Sequence, residues 1–262
     1  MAELFRNFFT HKDFLPGQLP GTLFTPLHFI FSACCVGLVV FACLRCKGKS
    51  ERSMCRIYAC VWVLTVVLEA AKILWETFSG AQVRFEWTGV LPLYPCSIFM
   101  YAMPFAIWGR GNVRYAACGY VCSLGLLGGV INFVYPANIL SNYSCLSFAG
   151  FHTFFYHGTM VFTAATMLLT GFHSYTGVKR WQQLLLPAVP FGLVSLVANA
   201  VNFSPIGSDY MFFRLDSFIF APIGQATPEW FSVLLVYAAY GLIHALPYLP
   251  SYLHQKYHKS EE

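Results

Sequence analysis

The strongest constraint in this chain is a succession of apolar blocks, each about as long as the ~20-residue helix needed to cross a bilayer core. There are seven, near residues 23–44, 56–78, 89–108, 115–135, 147–171, 183–203 and 228–249. Within them hydrophobic residues run on instead of alternating with a polar face, as they do in helices surrounded by lipid. Apolar residues make up 57% of the 262 and charged residues 10%, whereas soluble domains carry about 25% charged residues. A water-facing shell cannot be built from so few charges. The blocks therefore predict an all-α, polytopic membrane helical bundle of seven transmembrane helices, a single transmembrane domain over residues 1–262 with no soluble appendage. No cleavable signal peptide is expected, because Arg6, His11, Lys12, Asp13, Pro16 and Pro20 interrupt the first twenty residues and leave no apolar h-region.

Basic residues orient the bundle. Arg45, Lys47, Lys49, Arg52 and Arg56 lie between the first two blocks, Arg110 and Arg114 between the third and fourth, and Lys179 and Arg180 between the fifth and sixth. Lys256 and Lys259 follow the seventh, so all four segments share one face. The opposite face carries only Arg6, Lys12, Arg84 and Arg214. The positive-inside bias makes the first face cytoplasmic, with the N-terminus outside and the C-terminus inside. Trp87, Trp108, Trp181 and Trp230 near block ends fit interfacial belts. A bacterial plasma membrane or a eukaryotic endomembrane suits this layout equally, and no nucleic-acid partner is expected.

The cysteines read mainly as packing residues. Cys34, Cys35, Cys60, Cys118 and Cys122 fall inside apolar blocks, and Cys43, Cys46 and Cys55 border the basic loop, which is no extracellular disulfide framework. The C-x-x-C spacing of Cys43 and Cys46 has no second Cys/His pair at zinc-site distance, so neither a metal nor another cofactor is expected; reversible lipid attachment is the alternative there.

Polar groups inside the blocks carry more information, since in hydrocarbon each must line a cavity or find a partner. Glu69, Lys72 and Glu76 fall at i, i+3 and i+7, on one helical stripe. Cys96 follows Pro92 and Pro95 at the outer end of the third block. Asn132 ends the fourth block outside, His152 and His157 open the fifth, and Asn199 and Asn202 end the sixth. All therefore lie in the outer half. At about 1.5 Å rise per residue, Cys96 and His157 share a depth on two different helices, while His152 is about 140° around the helix from His157.

A thiol becomes a nucleophile when an imidazole takes its proton, and the thiolate can then attack an ester carbonyl. If regular helix begins at Pro95, Cys96 occupies the first turn, where the positive dipole end favours a thiolate. If it begins at Gly89, the prolines only kink the helix. Asn132, Asn199 and Asn202 are candidate amide donors to an oxyanion or headgroup, or else interhelical hydrogen-bonding groups; Tyr94 and Tyr156 are equally two-sided. Asn142 and Asn202 also open N-x-Ser sequons.

The acidic–basic stripe, the Leu91-Pro92-Leu93-x-x-Cys96 element, Tyr156-His157-Gly158, and the run from Asn202-Phe203-Ser204-Pro205 to Asp209-Tyr210-Met211-Phe212 together resemble the transmembrane protein 164 family and its bacterial integral-membrane relatives. The resemblance implies an acyltransferase that moves a fatty acyl chain between phospholipid and lysophospholipid, with Cys96 as nucleophile forming a thioester and His157 as base. Glu69, Lys72, Glu76, Tyr94, Asn132, His152, Asn199 and Asn202 would then bind substrate or support the pair. Membrane lipids are the implied partners. A lipid hydrolase with the same site is the alternative if water takes the acyl group. Non-enzymatic readings are a seven-span receptor and a transporter coupled through the Glu69–Lys72–Glu76 stripe. Against a receptor, Trp108-Gly109-Arg110 stands where an acidic-Arg-aromatic triplet would be. Against a transporter, no internal repeat is visible.

The orientation is open to single-cysteine accessibility labelling. A reporter in the loop 47–52 is expected to be protected from an impermeant reagent applied outside, and one in the loop 141–144 to react. Labelling of both from the same side would overturn the assignment.

Overall fold

The computed structural model describes residues 7–15, 21–81, 91–175, 178–205, 207–215 and 221–250. Arg6, Pro16, Pro20, Arg84, Trp87, Gly89, Lys256 and Lys259, used above, lie outside them. The described residues are helical, without a strand. In chain order the helices are α1 (Pro26–Cys46), α2 (Glu51–Ser79), α3 (Ile98–Trp108), α4 (Gly111–Tyr120), α5 (Leu126–Val134), α6 (Ala137–Leu140), α7 (Phe148–Leu169), α8 (Arg180–Leu185), α9 (Val189–Asn202), α10 (Ala221–Ala226) and α11 (Glu229–Ala245). A 3₁₀ turn, Pro95–Ser97, leads into α3, and a π-helical turn, Val121–Gly125, joins α4 to α5.

Five helical runs are long and apolar enough to cross a membrane: Pro26–Cys46, Glu51–Ser79, Gly111–Leu140, Trp181–Asn202 and Glu229–Tyr248. They answer the first, second, fourth, sixth and seventh predicted blocks. The third block is a shorter apolar helix, Pro95–Trp108, because residues 91–94 are not helical. Proline at 92 and 95 removes two backbone donors from that stretch and disfavours helix in the residue before each. The fifth block is α7, whose two histidines and four threonines dilute its hydropathy. The distribution of side chains is the reverse of a water-soluble protein's. Phe29, Leu38 and Phe41 of α1, Leu64 and Val67 of α2, Leu193 and Leu196 of α9 and Leu234 and Leu242 of α11 are exposed, while Thr65, Glu69, His152, Thr163, Ser195, Ser232 and His244 are buried. Such a surface suits hydrocarbon, and the protein is an integral membrane protein.

The chain forms two compact units: residues Met1–Glu86 with Leu126–Thr170, and residues Trp87–Gly125 with Gly171–Glu262. In the first, α7 is the central helix, packed on α1, α2 and α5. Side-chain oxygens cap the helix starts, with Thr25 accepting from the His28 amide, Ser50 from Ser53 and Ser147 from Gly150. Phe133, Leu140, Cys145 and Phe154 form its apolar core. Polar residues join helices as well: the Tyr58 hydroxyl donates to Thr166 Oγ1 at 3.1 Å, and Thr65 and Thr159 hydroxyls meet at 3.2 Å. Residues 8–12 are tied to this unit by Trp75 Nε1 donating to the Phe9 carbonyl and by the Lys12 amide donating to the Tyr143 hydroxyl. Beside them the Ala81 amide donates to Asp13 Oδ2 and holds that carboxyl below its ordinary range.

In the second unit, α3 packs on α4, and α4 on the 3₁₀ turn Leu186–Ala188 and on α9. The π turn is packed against α11, α3 and the Pro95–Ser97 turn. Gly119 lets α4 approach the Leu186–Ala188 turn, since a Cβ there would fall 2.6 Å from the Tyr248 hydroxyl and 2.7 Å from Pro187 Cγ.

Close helix approach in the first unit also depends on a glycine. A Cβ at Gly129 would sit 2.7 Å from Val161 Cγ2 and 3.0 Å from the His157 carbonyl oxygen. Gly129→Val is expected to cost about 1–3 kcal/mol by overpacking, read as a lower unfolding midpoint in detergent. Gly192→Ala on α9, where a Cβ meets nothing within 4 Å, is the control and should not destabilise.

Candidate active site

Six of the ten residues singled out in the sequence belong to the first unit. Glu69 is 8% exposed, and the stripe it begins is an ion-pair chain: Lys72 Nζ lies 3.5 Å from Glu69 Oε1 and 3.8 Å from Glu76 Oε2. One turn of α2 sets both spacings. The other carboxylate oxygen of Glu69 lies 3.1 Å from His152 Nε2 on α7. His152 thus approaches the buried carboxylate from outside its own helix, a proximity no sequence spacing encodes.

His157 is oriented differently. Its Nδ1 is 2.7 Å from the carbonyl oxygen of Thr153, one turn earlier. A carbonyl can only accept, so Nδ1 carries the proton and Nε2 keeps its lone pair. The Thr153 hydroxyl donates in turn to Asn132 Oδ1 at 3.2 Å. Asn132, Thr153 and His157 therefore form a short relay that orients the ring and, in the neutral imidazole, leaves the lone pair on Nε2. The 140° separation read from the sequence gives the two histidines separate partners, Glu69 for one and the α7 backbone for the other.

The remaining four residues belong to the second unit. The helical turns begin at Pro95, which takes the first position of a 3₁₀ turn after an extended Tyr94 and leads into α3 at Ile98, so of the two alternatives left open above the start at Pro95 is the one found. Cys96 is the second residue of the turn, at the positive end of the helix, and is partly exposed. The segment before it is held in place by side chains: the Tyr101 hydroxyl donates to the Pro92 carbonyl at 3.1 Å, and the Tyr120 hydroxyl donates to the Pro95 carbonyl.

Tyr210 organises the same segment from the other side. Its side chain is fully buried, its hydroxyl accepts from the Leu91 amide at 3.0 Å, and its ring meets Tyr94 edge-on at 5.1 Å. Asn202 fixes Tyr210 by a two-point clamp, with Nδ2 donating to the Tyr210 carbonyl at 2.9 Å and Oδ1 accepting from the Tyr210 amide at 2.8 Å. Both ends of the Asn202 amide are therefore spent on a buried turn, one that carries left-handed backbone at Met211, Phe212 and Leu215. This is the structural alternative weighed for Asn202, and it also leaves the sequon at that asparagine inaccessible. Asn199 Nδ2 donates to the Tyr237 hydroxyl at 3.0 Å, which also meets Ser195 Oγ at 2.9 Å.

Three residues of this unit escaped the sequence reading. Ser123 on the π turn and His244 on α11 are both buried, with Ser123 Oγ 2.9 Å from His244 Nδ1, and the Tyr120 ring lies 5.4 Å from the His244 ring. A histidine in the last apolar block was the available signal. Its partner lies 121 residues away, and nothing local marks a π turn.

Comparison with curated proteins and with solved structures finds no match. The family model described as the TMEM164 family matches residues 23–252, which takes in both units, the Cys96 turn, the His157 relay and the Asn202–Tyr210 clamp. The chain belongs to the TMEM164 family.

Proposed function

We propose that this protein is an integral membrane acyltransferase that moves a fatty acyl chain between phospholipid and lysophospholipid, with seven crossings and an outside N-terminus. The observation that carries the reading is Cys96 in the first turn of a helix that starts at Pro95, partly exposed and at the end of the helix dipole that favours a thiolate. Family membership and the lone pair left on His157 Nε2 by the Thr153 carbonyl support it. In the first half-reaction Cys96 Sγ attacks the acyl ester carbonyl and His157 Nε2 takes the thiol proton. The C–S bond forms, the C–O bond to the donor breaks, and the departing lysophospholipid oxygen receives that proton. In the second, a hydroxyl oxygen attacks the thioester and restores the thiol. A lysophospholipid hydroxyl makes the protein a transferase and water makes it a lipase. The apolar surroundings favour the former by excluding water. The Glu69–Lys72–Glu76–His152 cluster supplies fixed charge on the α2–α7 face, suited to a zwitterionic headgroup.

The purified protein, incubated with a phospholipid radiolabelled in its acyl chain, is expected to form a hydroxylamine-sensitive adduct that Cys96→Ala abolishes. His157→Ala should slow its formation about 10²-fold, the scale of a lost general base. Cys118→Ala and Cys122→Ala, at buried positions, should leave labelling intact. Discharge by added lysophospholipid into a diacyl product identifies a transferase, and release of free fatty acid alone a lipase. Absence of any adduct would overturn the enzymatic reading in favour of transport or reception.

A further inference from the structure

Among the buried polar atoms of the second unit without a hydrogen-bond partner among the described residues is an imidazole nitrogen, Nε2 of His244. His244 is fully buried, and its Nδ1 lies 2.9 Å from Ser123 Oγ. The Ser123 hydroxyl is itself 2.7 Å from the carbonyl oxygen of Gly119. Because that carbonyl can only accept, the serine proton points to Gly119 and the Nδ1 proton points to Ser123. His244 is thereby fixed as a neutral imidazole whose Nε2 bears a lone pair, and Nε2 is buried with no hydrogen-bond partner among the described residues. An acceptor left so costs stability that a fold does not spend without return. A donor group on a bound molecule would supply that return.

The position of the ring indicates which donor. The Tyr120 ring lies tilted against His244, 5.4 Å between centroids, and its hydroxyl donates to the carbonyl of Pro95, the residue before Cys96. The π turn that presents Ser123 packs against both the Pro95–Ser97 turn and α11. Such turns are frequent at functional sites, where they re-aim a side chain that a regular helix would direct elsewhere.

We propose that His244 Nε2 is the base of the second half-reaction, taking the proton from the O–H group that resolves the Cys96 thioester. This rests on the acyl-enzyme reading above. The oxygen forms the new C–O bond, the C–S bond breaks, the hydroxyl proton passes to Nε2, and from there it returns to Cys96 Sγ. The group captured is a hydroxyl, whether of a lysophospholipid or of water. The two histidines then divide the work, His157 serving acylation and His244 deacylation.

The test follows both halves separately on the full-length protein. His244→Asn keeps an amide N–H where Nδ1 stands, and so the bond to Ser123, but removes Nε2; His244→Gln places an amide oxygen near Nε2 that accepts a hydrogen bond without acting as a base. Labelled thioester is expected to form in His244→Asn at close to the wild-type rate. Its discharge by lysophospholipid, and separately by water, should slow about 10²-fold, with a smaller loss in His244→Gln. His157→Ala should slow formation and leave discharge unaltered. Wild-type discharge rates in His244→Asn would overturn the proposal while leaving the acyl-enzyme intact, whereas a wild-type protein that forms no thioester would overturn the reading beneath it. Should the asparagine variant fail to fold, ¹⁵N-histidine spectra of the wild-type protein decide. A lysophospholipid should shift the His244 Nε2 resonance and its deoxy analogue should not; no difference between the two would also overturn the proposal.

Discussion

Everything in this structure follows from the inability of hydrocarbon to accept or donate a hydrogen bond. Where water surrounds a protein, polar side chains face outward at no cost. Here they turn inward and find one another, as Tyr58 does with Thr166, Thr65 with Thr159, Glu69 with His152 and Ser123 with His244. The same constraint selects helices, which satisfy their backbone internally, and leaves the outer faces of α1, α2, α9 and α11 to leucine, valine and phenylalanine. It also explains why α7, polar along much of its length, is the helix at the centre of its unit. A helix with His152, His157 and four threonines is tolerable only where neighbouring helices supply the partners that lipid withholds.

Irregular backbone in this setting must likewise be held by named groups. The non-helical residues 91–94 before Cys96 leave peptide units that no helix satisfies, and the Tyr101 hydroxyl, the Tyr120 hydroxyl and Tyr210 meet those at Pro92, Pro95 and Leu91. Tyr210 is in turn fixed by the Asn202 amide. The run from Asn202 to Phe212 that carries part of the family resemblance is therefore a scaffold for the Cys96 turn, and its value to the site lies in holding the start of the helix at Pro95.

Both histidines discussed as bases are prepared in the same way. Each gives its Nδ1 proton to an oxygen of the protein, the Thr153 carbonyl for His157 and Ser123 Oγ for His244, and each is left with a lone pair on Nε2. Fixing the tautomer by a hydrogen bond inside apolar surroundings keeps the ring neutral and directional, two properties a general base needs. The Ser123 bond depends on a π turn and the Thr153 bond on ordinary helix geometry, so the first is visible only in three dimensions and the second follows from an i, i+4 spacing.

The sequence by itself determined the all-helical membrane class, the family, the apolar blocks, and whatever one helix turn sets. Glu69, Lys72 and Glu76 form a stripe because 3.6 residues make a turn, and that stripe is the ion-pair chain observed. Proline content marked the Cys96 segment as irregular but left two starting points for its helix, since the choice rests on whether side chains elsewhere can satisfy the freed peptide groups. Tertiary structure alone decided that His152 faces Glu69, that Asn202 spends its amide on Tyr210, that a 3₁₀ turn from Pro95 leads into α3, and that Ser123 and His244 meet across 121 residues. The physical reason is common to all four. Hydropathy and helical periodicity are properties of a single segment, whereas the partner of a buried polar group is chosen by which helices pack together, and one segment carries no record of that choice.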